Sequence, residues 1–202
     1  MMNSLNIARY FIVKAYQDGI EAEMTNMKVQ KLLYYAQSLY LALYDQPLFE
    51  EEIQAWRYGP VCPPAYQYYS DFEANQLPIP DAEIILEIPD DQKLVLEEVW
   101  DYFGGYHAYR LSGMTHLEFP WKKARQGLPP EARSTQPISI EDMKVLGYQK
   151  LEIIEREHPA YEPVISKVLK ETITSVNNQS EPSTLIHKGE ELKNIIQEIL
   201  DD

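Results

Sequence analysis

From Thr25 to Tyr44 the chain sets Val29, Leu32, Leu33, Ala36, Tyr40 and Leu43 at helical spacing, and the pattern runs unbroken to Asp45-Gln-Pro47. A run of that length predicts a long helix that needs other apolar faces to pack on. The rest of the sequence supplies them. Ser4 can cap a first helix in which Ile7, Ala8, Phe11, Ile12 and Ala15 share a face, with Asp18-Gly19 as its end. Asp90 or Asp91 is expected to cap a helix through Phe103 in which Leu94, Leu96, Val99 and Trp100 are apolar, and Gly104-Gly105 breaks it. Shorter helices are predicted near 64–71, over 108–117 and from Pro120, a residue suited to a first helical position. Ser139 with Asp142 resembles a capping box opening a helix to about Glu157. On the long helix, Lys28, Lys31 and Gln37 fall away from the apolar positions and are expected on other parts of its circumference. The fold class read from this pattern is mainly α: a helical domain with a small β element and extra C-terminal helices.

The β element comes from two short segments. Ile53 and Ala55 alternate with Gln54, Trp56 and Tyr58, which predicts a strand near 53–58 ending at Gly59-Pro60. Ile84–Ile88, closed by Pro89, is a second candidate that could pair with the first. We divide the chain into a helical domain over 1–150 and an acidic helical extension over 151–202. The extension holds a helix near 164–176, a polar linker at 177–182, and an amphipathic helix marked by Leu185, Leu192, Ile195, Ile196 and Ile199.

Charge narrows the range of partners. The net charge is −14, with 18 basic and 32 acidic side chains. Such a surface repels a phosphate backbone unless cations are gathered in one place. Lys122, Lys123 and Arg125 form the single compact cluster, too thin to suggest nucleic acid as a partner. The same acidity would steer a basic protein partner, and it also serves solubility. Cys62 is the sole cysteine, so neither an internal disulfide nor a cysteine zinc cluster can form within one chain. The beginning of the chain has no signal-peptide pattern, and no apolar run approaches a membrane span, so a cytoplasmic protein is expected.

Catalytic patterns were sought in turn. His107, His116, His158 and His187 are scattered, and His116-Leu-Glu118 points its two ligating types to different helix faces. Asp81, Asp91 and Lys93 imitate a metal-dependent nuclease spacing, but Asp91 opens a helical pattern where the nuclease needs a strand. Neither a phosphate-binding glycine loop nor a serine nucleophile elbow occurs. A metal-dependent hydrolase using Asp81, Asp91 and His116 is carried as the enzymatic alternative; the preferred reading is a non-enzyme without cofactor or metal.

Binding is favoured by the aromatic residues. Tyrosine occurs 15 times against 5 phenylalanines, a balance suited to surfaces apolar in body and polar at the tip. Three stations concentrate such residues: Met27–Gln37, Glu52–Val61 and Thr115–Ala124. In the second, Gly59 and Pro60 can fix the backbone beside Trp56 and Tyr58; in the third, Pro120 turns the chain at Trp121. For Trp56 and Trp121 the favoured role is a plug of the core where helices meet.

The same stations resemble the Panacea domain family (SocA-like, GepA-like). Its helix of the Met-Lys-Leu-Gln-Lys-Leu-Leu-Tyr-Tyr type is matched at Met27–Tyr35, with Val29 substituted. Pro47-Leu-Phe49, Ala55–Val61 and Leu111–Trp121 match the family's later elements in order, so the likeness covers about residues 5–150. Members act as antitoxins in bacterial and phage toxin–antitoxin pairs. The resemblance implies an antitoxin that binds a cognate protein toxin directly and brings no catalytic residues. The expected contact residues are Trp56, Tyr58, Gly59, Pro60, Tyr66, His116 and Trp121. A second reading, drawn from the linker and last helix, is an adaptor that delivers the toxin to a protease.

Overall fold

The structure, a computed structural model, describes residues 2–80, 88–129 and 131–157. The candidate strand at 84–88 (except Ile88), Asp81, the helix near 164–176, the linker 177–182 and the final amphipathic helix lie outside the described residues. Seven α-helices and one hairpin follow in the order α1 (Ser4–Gln17), α2 (Asn26–Tyr44), β1 (Gln54–Trp56), β2 (Gly59–Val61), α3 (Pro63–Tyr68), α4 (Asp90–Phe103), α5 (Ala108–Leu117), α6 (Phe119–Ala124) and α7 (Ile140–Glu157). The mainly helical class with a small β element holds. Among the described residues no helix is long and apolar enough to cross a membrane.

Local chemistry sets most boundaries. Thr25 caps α2 by accepting from the Lys28 amide, and Asp45 ends it in the left-handed conformation, φ 55°. At α1 the cap is Asn3, whose side chain accepts from the Asn6 amide at 2.9 Å. Ser4, expected in that role, instead lies in the first turn and donates from its amide and hydroxyl to Glu51. Ser139 caps α7 through the Asp142 amide, as the sequence suggests. Neither Asp90 nor Asp91 caps α4 as expected: Pro89 holds the cap position without a side-chain bond, and both aspartates lie in the first turn, where negative charge suits the helix dipole.

α2 is the axis of the domain, packed by α1, α3, α4, α5, α7 and β2. Gly147 lets α7 cross it closely, since a Cβ there would run into the Ser38 carbonyl. Tyr34 and Tyr35 are both sealed in the core, Tyr35 stacking on Phe103 at 4.0 Å.

The polar positions of α2 are buried along with its apolar ones: Lys28, Lys31 and Gln37, with Asn26 and Gln30, are all shut away from solvent. Segment 48–66 offers backbone groups to Asn26, Gln30, Lys31 and Gln37. Gln37 accepts from the Leu48 and Phe49 amides and donates to the Phe49 carbonyl. Gln30 accepts from the Cys62 amide, and Asn26 donates to the Tyr66 carbonyl. These bonds tie the segment 48–66 to the helix, satisfying groups whose burial would otherwise be costly.

The hairpin differs from the expected strand as well. Gly59-Pro60 does not end it but starts the return: Gln54 pairs with Val61, Ala55 with Pro60 and Trp56 with Gly59. Neither Arg57 nor Tyr58 takes a positive φ, so the left-handed step of the turn falls on Gly59, φ 101°. On its other side Gln54 bridges Pro137, with Ala55 donating to the Gln136 carbonyl.

Candidate functional site

Around the hairpin, side chains from three helices, α2, α5 and α6 with its C-cap, capture its carbonyls almost one by one. Arg125 donates to the Ala55 carbonyl at 3.2 Å and Trp121 Nε1 to that of Trp56 at 2.9 Å. His116 Nε2 meets the Arg57 carbonyl at 2.9 Å; since that oxygen can only accept, Nε2 carries the proton. Ser112 Oγ donates to the Tyr58 carbonyl at 3.1 Å, and Lys31 Nζ to that of Pro60 at 2.8 Å. A hairpin of two three-residue strands has little stability of its own. Here its shape is imposed from outside, and its tip is held out as a rigid object.

Gly59 is central to this grip. A Cβ at that position would lie 2.7 Å from Thr115 Oγ1 and 2.8 Å from Lys31 Cε. Lys31 is wholly buried, and burial lowers its ammonium to about 7. Beside it on α2, Lys28 lies 3.7 Å from Glu23 and is also lowered by burial. A further buried polar group braces the α5–α6 corner: Glu118 Oε1 accepts from Tyr35 at 3.0 Å and pairs with Lys150 at 2.7 Å. Burial raises the Glu118 carboxyl, against the lowering pull of Lys150.

The expected contact residues gather here but differ in exposure. Tyr58, at the tip, is 57% exposed, with the Arg57 guanidinium 5.0 Å from its ring. Trp56 is half-buried, its ring edge-on to Tyr66 at 5.0 Å and its Nε1 donating to Gln54. Gly59 and Pro60 are buried, and Trp121 is nearly so, edge-on to His116 at 4.4 Å. Tyr58 and the outer edges of Trp56, Tyr66 and His116 are thus what another molecule can reach.

An open groove of about 610 Å3 lies beside the tip, lined by Arg57, Tyr58, His116, Trp121, Lys122, Arg125, Gly127, Leu128 and Glu131. Arg125 lies over Trp121 at 4.7 Å and donates also to the Pro129 and Ala132 carbonyls. The sequence reading missed Arg57, Leu128 and Glu131 as groove residues, and Lys31, Ser112 and Arg125 as the clamp. Lys31 and Ser112 stand inside the quoted motifs, which was the one available signal.

The hydrolase residues are not drawn into one site by the contacts they make. Asp91 accepts from Tyr40, while His116 is engaged by the hairpin. Among the described residues no group of three or more His, Cys, Asp or Glu side chains is placed to hold a metal ion. Cys62 is buried, and burial pushes its thiol up, away from reactivity.

The fold and site describe a mainly helical domain presenting a clamped aromatic hairpin. Residues 29–122 match the family described as antitoxin SocA-like, Panacea domain, so the resemblance drawn from the motifs holds over the stretch containing α2, the hairpin and the α5–α6 corner. A curated relative, "Antitoxin SocA" of Caulobacter vibrioides (strain NA1000 / CB15N), is 29% identical over 120 residues, covering 54% of this chain. The chain spans 64% of that relative's length. No solved structure matches.

Proposed function

We propose that this protein is an antitoxin that neutralises a cognate protein toxin by binding it directly, without catalysis, through the hairpin tip and the groove beside it. The observation that carries the reading is the Panacea-domain match over the hairpin and over Lys31, Ser112, His116 and Trp121 of its clamp. A relative bearing the name antitoxin supports it. The geometry suits the role: an exposed tyrosine on an immobilised turn loses little entropy when it is covered, and anchors of this kind dominate binding energy. In this reading Trp56, Tyr58, Tyr66 and His116 make contact, while Gly59, Pro60 and Trp121 hold them in place. The chain's net charge of −14 would draw in a basic protein over long range.

Co-expression with the product of the adjacent gene tests the proposal. Rescue from that product's toxicity, with a complex recovered by pull-down, is expected. Toxicity unchanged and no complex would overturn it.

A further inference from the structure

The groove beside the hairpin carries a charge opposite to that of the whole chain. Arg57 and Lys122 are exposed in its lining, and neither has a carboxylate partner among the described residues. Lys123, by contrast, is bound by Asp142 at 2.8 Å. Arg125 adds a third positive charge in the lining, and Glu131 is the one acidic residue there. In a protein with 32 acidic and 18 basic side chains, a concave site with three cations and one acid is not what dispersal of charge for solubility produces. Its apolar part is equally defined: the Tyr58 ring, the Trp121 indole and Leu128, which is 44% exposed.

We propose that this groove receives an acidic segment of the partner protein, in which a carboxylate side chain sits beside an aromatic or aliphatic one. The inference rests on the toxin-binding reading and gives its contact a chemistry. Arg57 and Lys122 bracket the carboxylate, Arg57 offering the planar fork that suits it, while the neighbouring apolar side chain covers Tyr58 and Leu128. The two charge statements act at different ranges. The chain's overall negative field acts before contact, whereas the groove cations act within about 10 Å at ordinary salt. A basic partner with one acidic segment satisfies both. A protein segment is favoured over nucleic acid because two exposed cations cannot offset the repulsion between a phosphate backbone and the surrounding acidic surface.

The test uses the full-length protein and two probes, the adjacent-gene toxin and a synthetic peptide, Ac-Glu-Asp-Trp-Asp-Glu-amide. The double charge reversal Arg57→Glu/Lys122→Glu should weaken toxin binding by about tenfold or more, and Lys122→Arg, which keeps the charge and leaves the Arg57 fork in place, should leave it within about threefold. Both residues are exposed, so circular dichroism melts should match the unsubstituted protein. The peptide should perturb the NMR signals of the Trp121 indole and the His116 ring, an effect lost in the charge-reversed variant. Unaltered toxin binding by the charge-reversed variant, with Tyr58→Ala still weakening it, would overturn the acidic segment while sparing the toxin-binding reading. Absence of any toxin complex would sink that reading, and the peptide titration would still decide the groove. No response to the peptide, or an equal response to inorganic phosphate, would overturn the inference.

Discussion

Gly59→Ala separates a hairpin that is clamped from one that merely rests on the helices. Two costs add. First, φ at this position is 101°, a conformation that L side chains rarely adopt, worth ~1–3 kcal/mol of strain. Second, the new Cβ would lie 2.7 Å from Thr115 Oγ1, 2.8 Å from Lys31 Cε and 2.9 Å from Lys31 Nζ. Thr115 is itself tied to the Ser112 carbonyl, and Lys31 Nζ to that of Pro60. Neither can retreat without breaking a buried bond, and loss of the Lys31 bond alone is worth ~1.5–3 kcal/mol. The substitution should therefore cost about 3–5 kcal/mol, a large part of the stability of a domain this size. Urea unfolding followed by tryptophan fluorescence measures it directly. A loss under about 1 kcal/mol would mean that the turn shifts freely, and the clamped-hairpin account would fail.

Other consequences can be checked alongside. The folded Lys31 ammonium releases its proton near 7, and the unfolded one holds it to about 10.5, so stability should rise with pH above 7 by at most ~1.4 kcal/mol per unit. Glu98 acts oppositely: burial, with Asp101 and Glu155 nearby, raises its carboxyl to about 7, so its contribution is full below pH 4.5 and fades toward 7. Urea midpoints should thus pass through a minimum near neutrality, with Lys31→Met flattening the alkaline limb and Glu98→Gln the acid limb; a monotonic profile would refute this. Trp121→Phe keeps the ring but leaves the Trp56 carbonyl without its donor, and should cost about 1–3 kcal/mol in the same assay. Deleting residues 177–202 should leave the toxin complex intact by pull-down, and a longer toxin half-life in cells on that deletion would assign delivery to a protease to this tail.

The helices were legible because their apolar residues recur at 3.6-residue spacing and their ends carry recognisable stops. Thr25 and Ser139 cap as their types suggest, and Pro120 opens α6. The immersion of α2 was not legible. Lys31 and Gln37 are covered only when segment 48–66 folds against the helix, and Lys28 only when Glu23 and Trp100 come beside it; these are tertiary events with no periodic signature. The hairpin was half legible: alternation gave β1, but Gly59-Pro60 reads as a stop. Its actual role depends on Thr115 and Lys31 leaving no room for a side chain. The groove was hidden for a similar reason. Arg57 and Lys122 are 65 positions apart, and only the closure of α6 against the hairpin brings them to one cleft.

The most direct measurement of the central claim is the affinity of Tyr58→Ala for the toxin, by calorimetry, with its thermal melt recorded in parallel. Tyr58 stands 57% exposed at the tip, so its truncation should leave the melt unchanged within about 0.5 kcal/mol while weakening binding by about 1–4 kcal/mol. Unchanged affinity in a folded variant would contradict the account, because the exposed aromatic at the tip of the clamped hairpin would then touch nothing.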